Sequence, residues 1–117
     1  MSEFKRLMGL TRRPDYLCGD FVIDAHKALY GQDLPKEVQY ALSSRIPSSF
    51  LQAKDSLKSL KRPQEGAIIS FWREGGLSHV GLYYKRNVLH LAESSPQYMP
   101  LGILKKHYPR IRFYGVK

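Results

Sequence analysis

The sequence has one cysteine, no long apolar run and few acidic residues. The single cysteine, Cys18, excludes an internal disulfide and any zinc site built from several cysteines, so packing alone must hold the fold. No stretch approaches the roughly 18 apolar residues of a membrane-spanning helix, and residues 1–16 lack the apolar core of a signal peptide. We therefore expect no membrane insertion and no export through the secretory pathway.

The length and composition predict one folded domain. A chain of 117 residues is long enough for one hydrophobic core and too short for two. Its content of 43% hydrophobic and 12% aromatic residues is typical of a globular protein. We expect a single domain over residues 1–117, in which residues 1–13 form a basic N-terminal lead-in.

Acidic residues are outnumbered by basic ones. Nineteen Lys and Arg against ten Asp and Glu give a net charge of +9, which favours anionic partners such as nucleic acid, acidic membrane surfaces or anionic cell-wall polymers. The basic residues are scattered, and no aromatic-interleaved nucleic-acid motif accompanies them. The pattern is more typical of a solvated basic surface than of a nucleic-acid-binding module, which would need the charge to cluster on one face.

Helical signals dominate the first half of the chain. The clearest helix covers residues 18–30, where apolar residues recur at helical spacing: Phe21, Val22, Ala25 and Leu29. Cys18 extends this stripe into the first turn, and Gly31 is a typical helix stop. The following segment predicts one or two short helices broken at Pro47 and a further helix over residues 49–59, which begins with a serine cap.

Strand signals dominate the second half. Short runs rich in β-branched and aromatic residues predict four strands, separated by polar turns such as "REGG" and "KRN", at residues 67–72, 78–84, 88–93 and 110–116. Helices followed by an antiparallel sheet indicate the α+β class rather than repeated βαβ units.

Three residues of this arrangement could form a catalytic group. The first helix would bury its apolar stripe on the sheet, with Cys18 at the helix N-terminus, where backbone N–H groups and the helix dipole favour a thiolate. The "KRN" turn would make His79 and His90 cross-strand neighbours. The pattern fits Cys18 as nucleophile, His79 as base and His90 as the group that orients it. On spacing and residue type alone, a core cysteine and two packing histidines are the more common arrangement.

Four motifs give the chain a resemblance to a known family. "YLCGDFV", "PQEGAIISF", "SHVGLYY" and "VLHLA" occur in this order over residues 14–116. They resemble the nucleophile helix, the following strand and the two histidine strands of NlpC-type cell-wall cysteine peptidases. Those papain-like enzymes cut the peptide stems of bacterial peptidoglycan, and the chain resembles in particular the compact versions encoded with phage and prophage tails. Leu17, Gly19 and Ala67 depart from the family pattern, so substrate contacts are expected to differ.

The resemblance implies a papain-like NlpC-type fold, with N-terminal helices packed on a small antiparallel sheet. It implies hydrolysis of stem amides by Cys18, His79 and His90. Tyr16 would help to line the oxyanion site beside the backbone N–H of Cys18, or be an ordinary core tyrosine. No cofactor is implied. A metal site is not expected, because no carboxylate completes a recognisable ligand set with the two histidines.

The resemblance also implies partners and a place of action. The substrate would be the peptidoglycan peptide stem and other partners would be phage tail proteins, with no specific nucleic acid among them. The protein would reside in the virion tail, or in the host cytoplasm before assembly, and act at the bacterial cell wall. The alternative is a tail-tip or tail-assembly structural protein that keeps the fold with little or no hydrolysis.

Four further polar residues carry structural expectations. His26 and His107 match no motif position and are expected at the surface. Asp20 should stabilise the helix N-terminus electrostatically. Glu93, three residues beyond His90, should project to the opposite face of its strand.

Overall fold

The computed structural model describes residues 2–44, 53 and 55–117. Its helices are α1 (Glu3–Met8), α2 (Cys18–Tyr30), α3 (Lys36–Ser44) and α4 (Leu101–Lys105). Its strands are β1 (Leu57–Leu60), β2 (Ile68–Arg73), β3 (Gly76–Tyr84), β4 (Asn87–Leu91), β5 (Pro96–Met99) and β6 (Arg110–Val116). Within these ranges no helix is long and apolar enough to cross a membrane.

The six strands form one sheet in the order β1-β6-β2-β3-β4-β5, and every neighbouring pair is antiparallel. Helix α2 packs against β3 and β4, and α1 and α3 pack against α2. The predicted α+β class, with helices packed on an antiparallel sheet, is confirmed.

Buried residues divide into two clusters. The larger joins the helices to the sheet and includes Cys18, Phe21, Val22, Val80, Leu82, Leu89 and Leu91. The smaller includes Ile69, Phe71, Val88 and Leu104. Because successive side chains of a strand point to opposite faces, β2, β3 and β4 contribute residues to both sides of the sheet.

Helix α2 has the predicted bounds, and its ends follow from local chemistry. Asp20 Oδ2 accepts a hydrogen bond of 2.9 Å from the backbone N–H of Leu17, which satisfies a donor at the start of the helix. This confirms the structural role expected of Asp20. Gly31 ends the helix with φ of 71°, a left-handed conformation that glycine adopts without a steric penalty.

The predicted helix over residues 49–59 is wrong at its C-terminal end. Residues 55 and 56 lie in a turn, and 57–59 belong to strand β1. Residues 49–52 and 54, like Pro47, lie outside the described residues. Leu57 pairs with Val116 and Leu60 with Phe113, so strand pairing across a long sequence separation overrides the local helical spacing.

Besides β1, three elements were not predicted from the sequence. Helix α1 lies in the basic lead-in, where it buries Leu7 completely. Strand β5 begins at Pro96, a position that an edge strand tolerates because its first N–H is not needed for the ladder. Helix α4 is one short turn in a segment that was expected to be a loop.

Gly19 allows α2 and α3 to approach closely. A Cβ atom built at Gly19 would lie 2.0 Å from the backbone oxygen of Leu42. We expect Gly19→Ala to lower the free energy of unfolding by about 3 kcal/mol, because the backbone of α3 would have to move. Urea unfolding measures the change. Gly102→Ala is the control, since nothing lies within 4 Å of its Cβ position; an equal loss in both variants would contradict the close approach.

Candidate active site

A two-residue turn positions the two strands that carry the histidines. Lys85 and Arg86 have φ of 46° and 71°, and the flanking residues Tyr84 and Asn87 pair with each other. Positive φ at both central positions is the backbone of a type I′ turn, whose twist matches that of a hairpin. The predicted "KRN" turn and the return of β4 along β3 are confirmed.

His79 on β3 and His90 on β4 contact each other inside the protein. Nε2 of His79 lies 2.7 Å from Nδ1 of His90, and the ring centroids are 4.9 Å apart at an interplanar angle of 80°. The residues are 7% and 4% exposed, so water screens the contact little. The predicted cross-strand neighbourhood of the two imidazoles is confirmed.

Gly81 leaves space for this contact. It lies between His79 and Tyr83 on the same face of β3, and a Cβ atom there would be 3.2 Å from Cβ of His90 and 3.1 Å from Cγ1 of Val88. A side chain at this position would crowd the imidazole of His90. The small residue therefore allows His90 to reach diagonally across the hairpin to His79.

Burial determines the charge state of His90. It lowers the pKa of His90 to about 4, so this ring is neutral at pH 7. Nε2 of His90 is buried and has no hydrogen-bond partner among the described residues. A neutral imidazole can accept a hydrogen bond from a neighbouring imidazolium, whereas a charged one would repel it. His90 is therefore suited to hold a protonated His79.

Cys18 is the first residue of α2 and is a free, buried thiol that is 1% exposed. Its cluster includes Val80, the residue that follows His79 on β3. His79 points away from this cluster, since its ring packs 5.6 Å from that of Phe71 and nearly parallel to that of Tyr108. Cys18 therefore shares a cluster with Val80 on one side of β3, whereas the ring of His79 lies on the other side. The approach of Cys18 to His79 stays a prediction.

A cleft of about 380 Å³ opens beside the histidine pair. Its lining residues are Arg12, Ser78, His79, His90, Ala92, Glu93 and Tyr108. Arg12 donates from its backbone N–H to the carbonyl of Ser94 and from Nη1 to that of Ala92, both at 3.4 Å. These bonds tie the segment that leads into α2 to the loop that follows the histidine strand β4.

Tyr16 lies two residues before α2 and is half-buried. Its hydroxyl donates a hydrogen bond of 2.5 Å to Oδ2 of Asp24, in the second turn of the helix. Burial, followed by the Asp24 carboxylate, raises the pKa of Tyr16 well above its usual value, so the hydroxyl stays protonated. A role for Tyr16 at the oxyanion site remains a prediction. Either the hydroxyl would have to leave Asp24, or the ring alone would line the site.

Two expectations about polar residues are wrong and one is confirmed. His26 is 8% exposed rather than at the surface, because it lies on the buried side of α2, four residues after Val22. That spacing is a signal that could have located it. Glu93 lines the same cleft as His90, because β4 ends at Leu91 and strand alternation does not continue to residue 93. His107 is exposed, as expected.

Potential metal ligands do not cluster in the part of the chain that the structure describes. No group of three or more His, Cys, Asp or Glu side chains is arranged there to hold an ion. The site consists of an imidazole pair beside a cleft, and such a pair can hold and move a proton.

The low pKa of His90 predicts a loss of stability in acid. Between about pH 6.5 and pH 4 the unfolded chain binds a proton at this residue and the folded chain does not, so the free energy of unfolding falls as pH falls. The full contribution is about 3 kcal/mol, from a pKa change of roughly 2.5 units. Urea unfolding at pH 7 and pH 4.5 should therefore show a smaller acid loss in His90→Asn than in the wild type, whereas His107→Asn should behave as the wild type. Equal losses in all three would show that His90 titrates normally.

No family model and no curated protein matches the sequence. Among solved structures, the chain is similar to the NlpC/p60 domain of the peptidoglycan hydrolase SagA, with a TM-score of 0.57 over 98% of this chain and 92% of that one. The chain has the NlpC/p60 fold. Sequence identity in this superposition is 14%, so the likeness concerns the course of the backbone. The predicted papain-like NlpC-type architecture is confirmed.

Proposed function

We propose that the chain is a cysteine peptidase or amidase that hydrolyses peptide stems of bacterial peptidoglycan. The observation that carries the proposal is the buried 2.7 Å contact between His79 and His90, in a chain with an NlpC/p60 fold whose single cysteine opens α2. A nucleophile, a base and an orienting group are the minimum set for covalent amide hydrolysis. The solved structure with the same fold is named as a domain of a peptidoglycan hydrolase.

In the proposed reaction, His79 takes the proton of the Cys18 thiol and Sγ attacks the carbonyl carbon of a stem amide. Because Nε2 of His79 contacts His90, the proton exchanges through Nδ1. The backbone N–H of Cys18, at the helix N-terminus, is one candidate donor to the oxyanion. His79 then protonates the leaving amine as the C–N bond breaks. Water, deprotonated by His79, hydrolyses the thioester and restores the thiol.

His90 acts on His79 rather than on the substrate. When His79 carries two protons, its Nε2–H donates to the neutral Nδ1 of His90, which keeps the imidazolium oriented. The burial that lowers the pKa of His90 prevents a second positive charge beside it. We assign the neutral tautomer of His90 with its proton on Nε2.

The burial of Cys18 favours a second candidate function. A thiol that is 1% exposed must become accessible before it can attack a substrate. A tail-tip or tail-assembly structural protein that keeps the fold, with hydrolysis slow or lost, would have no such requirement. In either case we propose association with a phage or prophage tail, which would deliver the chain to the cell wall.

Incubation of the purified chain with peptidoglycan, followed by mass analysis of the released fragments, separates these functions. We expect stem fragments whose new termini identify one scissile amide, and we expect a thiol alkylator that modifies Cys18 to prevent their release. Fragment release that survives complete alkylation would refute the cysteine mechanism. The absence of fragments from peptidoglycans of several stem compositions would favour the structural candidate.

A further inference from the structure

One arginine lines the histidine cleft and a second lies against one of its lining residues, and both are restrained by their surroundings. Arg12 lines the cleft, and its guanidinium is held by the carbonyl of Ala92. Arg73, at the end of β2, places its guanidinium carbon 4.7 Å from the ring centroid of Tyr108, which also lines the cleft. The contacts restrict both side chains before any ligand arrives, which lowers the entropic cost of binding.

Neither arginine has an acidic partner among the described residues. The ion pairs found there involve Arg6, Arg13 and Lys27. Glu93 is an acidic residue of the cleft lining, and it is exposed to solvent. The lining therefore carries the restrained guanidinium of Arg12 and the solvated carboxylate of Glu93, and the guanidinium of Arg73 lies against the lining ring of Tyr108. A planar guanidinium with open donors suits a carboxylate, which it can bind through two parallel hydrogen bonds.

We propose that Arg12 and Arg73 form a carboxylate-binding pair that selects stem peptides with free carboxylates over amidated stems. The inference rests on the proposed function, because it takes the histidine cleft to be the place where the substrate lies. Tyr108 links Arg73 to the proposed base His79. Its ring packs nearly parallel to that of His79 at a centroid distance of 6.3 Å and also contacts the guanidinium of Arg73. A carboxylate bound by the pair would hold the stem beside the proton-transferring imidazole.

Binding to a chain that cannot turn over tests the inference separately from hydrolysis. The protein is the full chain with Cys18→Ala, and the probes are one soluble stem peptide with free carboxylates and the same peptide with every carboxylate converted to a carboxamide. Calorimetry gives the two dissociation constants, and the selectivity ratio is that of the amidated peptide divided by that of the free peptide. We expect the free peptide to bind at least about tenfold more tightly at low salt, because charge-assisted bonds to arginine are stronger than bonds to an amide.

Variants locate the selectivity. Arg73→Gln or Arg12→Gln, each added to Cys18→Ala, should reduce the selectivity ratio to about one third or less of its value in Cys18→Ala alone. The affinity for the amidated peptide should not change. Arg62→Gln removes the same charge from an exposed position between β1 and β2 and should leave the ratio unchanged. Arg73→Lys keeps the charge but loses the flat contact with Tyr108. Its selectivity ratio should lie between that of Cys18→Ala alone and that of the Arg73→Gln variant.

Equal binding of the two peptides, or a ratio that Arg73→Gln and Arg62→Gln change alike, would overturn the inference. Neither result would touch the proposed function, which is judged by fragment release from the chain with intact Cys18. A phosphate polymer that binds through Arg73 while both peptides bind alike would assign the arginines to another ligand and would also overturn it.

Discussion

Cys18→Ala should lower the turnover number on a confirmed stem substrate by at least about 10⁴-fold, because alanine cannot form the thioester intermediate. The substitution removes one buried sulfur atom from the cluster that joins α2 to the sheet. We expect it to cost about 1 kcal/mol of stability, which leaves the chain folded. Turnover measured beside the thermal midpoint separates loss of chemistry from loss of folded protein.

Cys18→Ser provides a matched control. Serine is close in size to cysteine but is a far weaker nucleophile beside a histidine that is arranged for a thiol. Both variants should fold and both should be inactive. Activity that follows the folded fraction in either variant would return Cys18 to the role of a small core residue.

His79→Ala should lower the turnover number by about 10³-fold, whereas His90→Asn should retain a measurable fraction of activity. The first change removes the group that moves the proton, and general acid–base catalysis of this kind is worth about 10²–10⁴-fold. The second keeps an oxygen that can accept a hydrogen bond from Nε2 of His79. An orienting group needs to fix the ring, and an amide can do that partly.

The packing interpretation of the two histidines predicts a different pattern. If the pair only fills space, both substitutions should lower the thermal midpoint, and activity should track the folded fraction. His90→Ala completes the set, because it removes both the hydrogen bond and the volume of the ring. Normal folding and full activity of His79→Ala on a confirmed substrate would refute the proposed use of Cys18, His79 and His90.

The sequence was most informative where local chemistry decides the structure. Helix α2 has a complete apolar stripe, a capping carboxylate at Asp20 and a terminal glycine at Gly31, and both of its ends were predicted correctly. Strand β6 also has its predicted bounds. In the hairpin of β3 and β4, strand alternation and a short polar turn were enough to predict the proximity of His79 and His90.

Features that depend on distant partners could not be predicted in this way. Strand β1 exists because it pairs with β6, and its own residues have the spacing of a helix. The restraint of Arg73 by Tyr108 joins residues 35 positions apart, and Arg12 reaches the cleft through carbonyls 80 and 82 positions away. No periodicity within a short window contains such information, because it arises when the sheet closes on the helices.

The most direct test of the account is the intact mass of the protein after rapid mixing with a stem-peptide thioester and an acid quench. A thioester substrate acylates quickly, so the covalent intermediate should accumulate. We predict a mass increase equal to the acyl fragment, located on Cys18 by peptide mapping and absent from Cys18→Ala. Turnover of the same substrate with no adduct on Cys18, and at an undiminished rate in Cys18→Ala, would contradict the account.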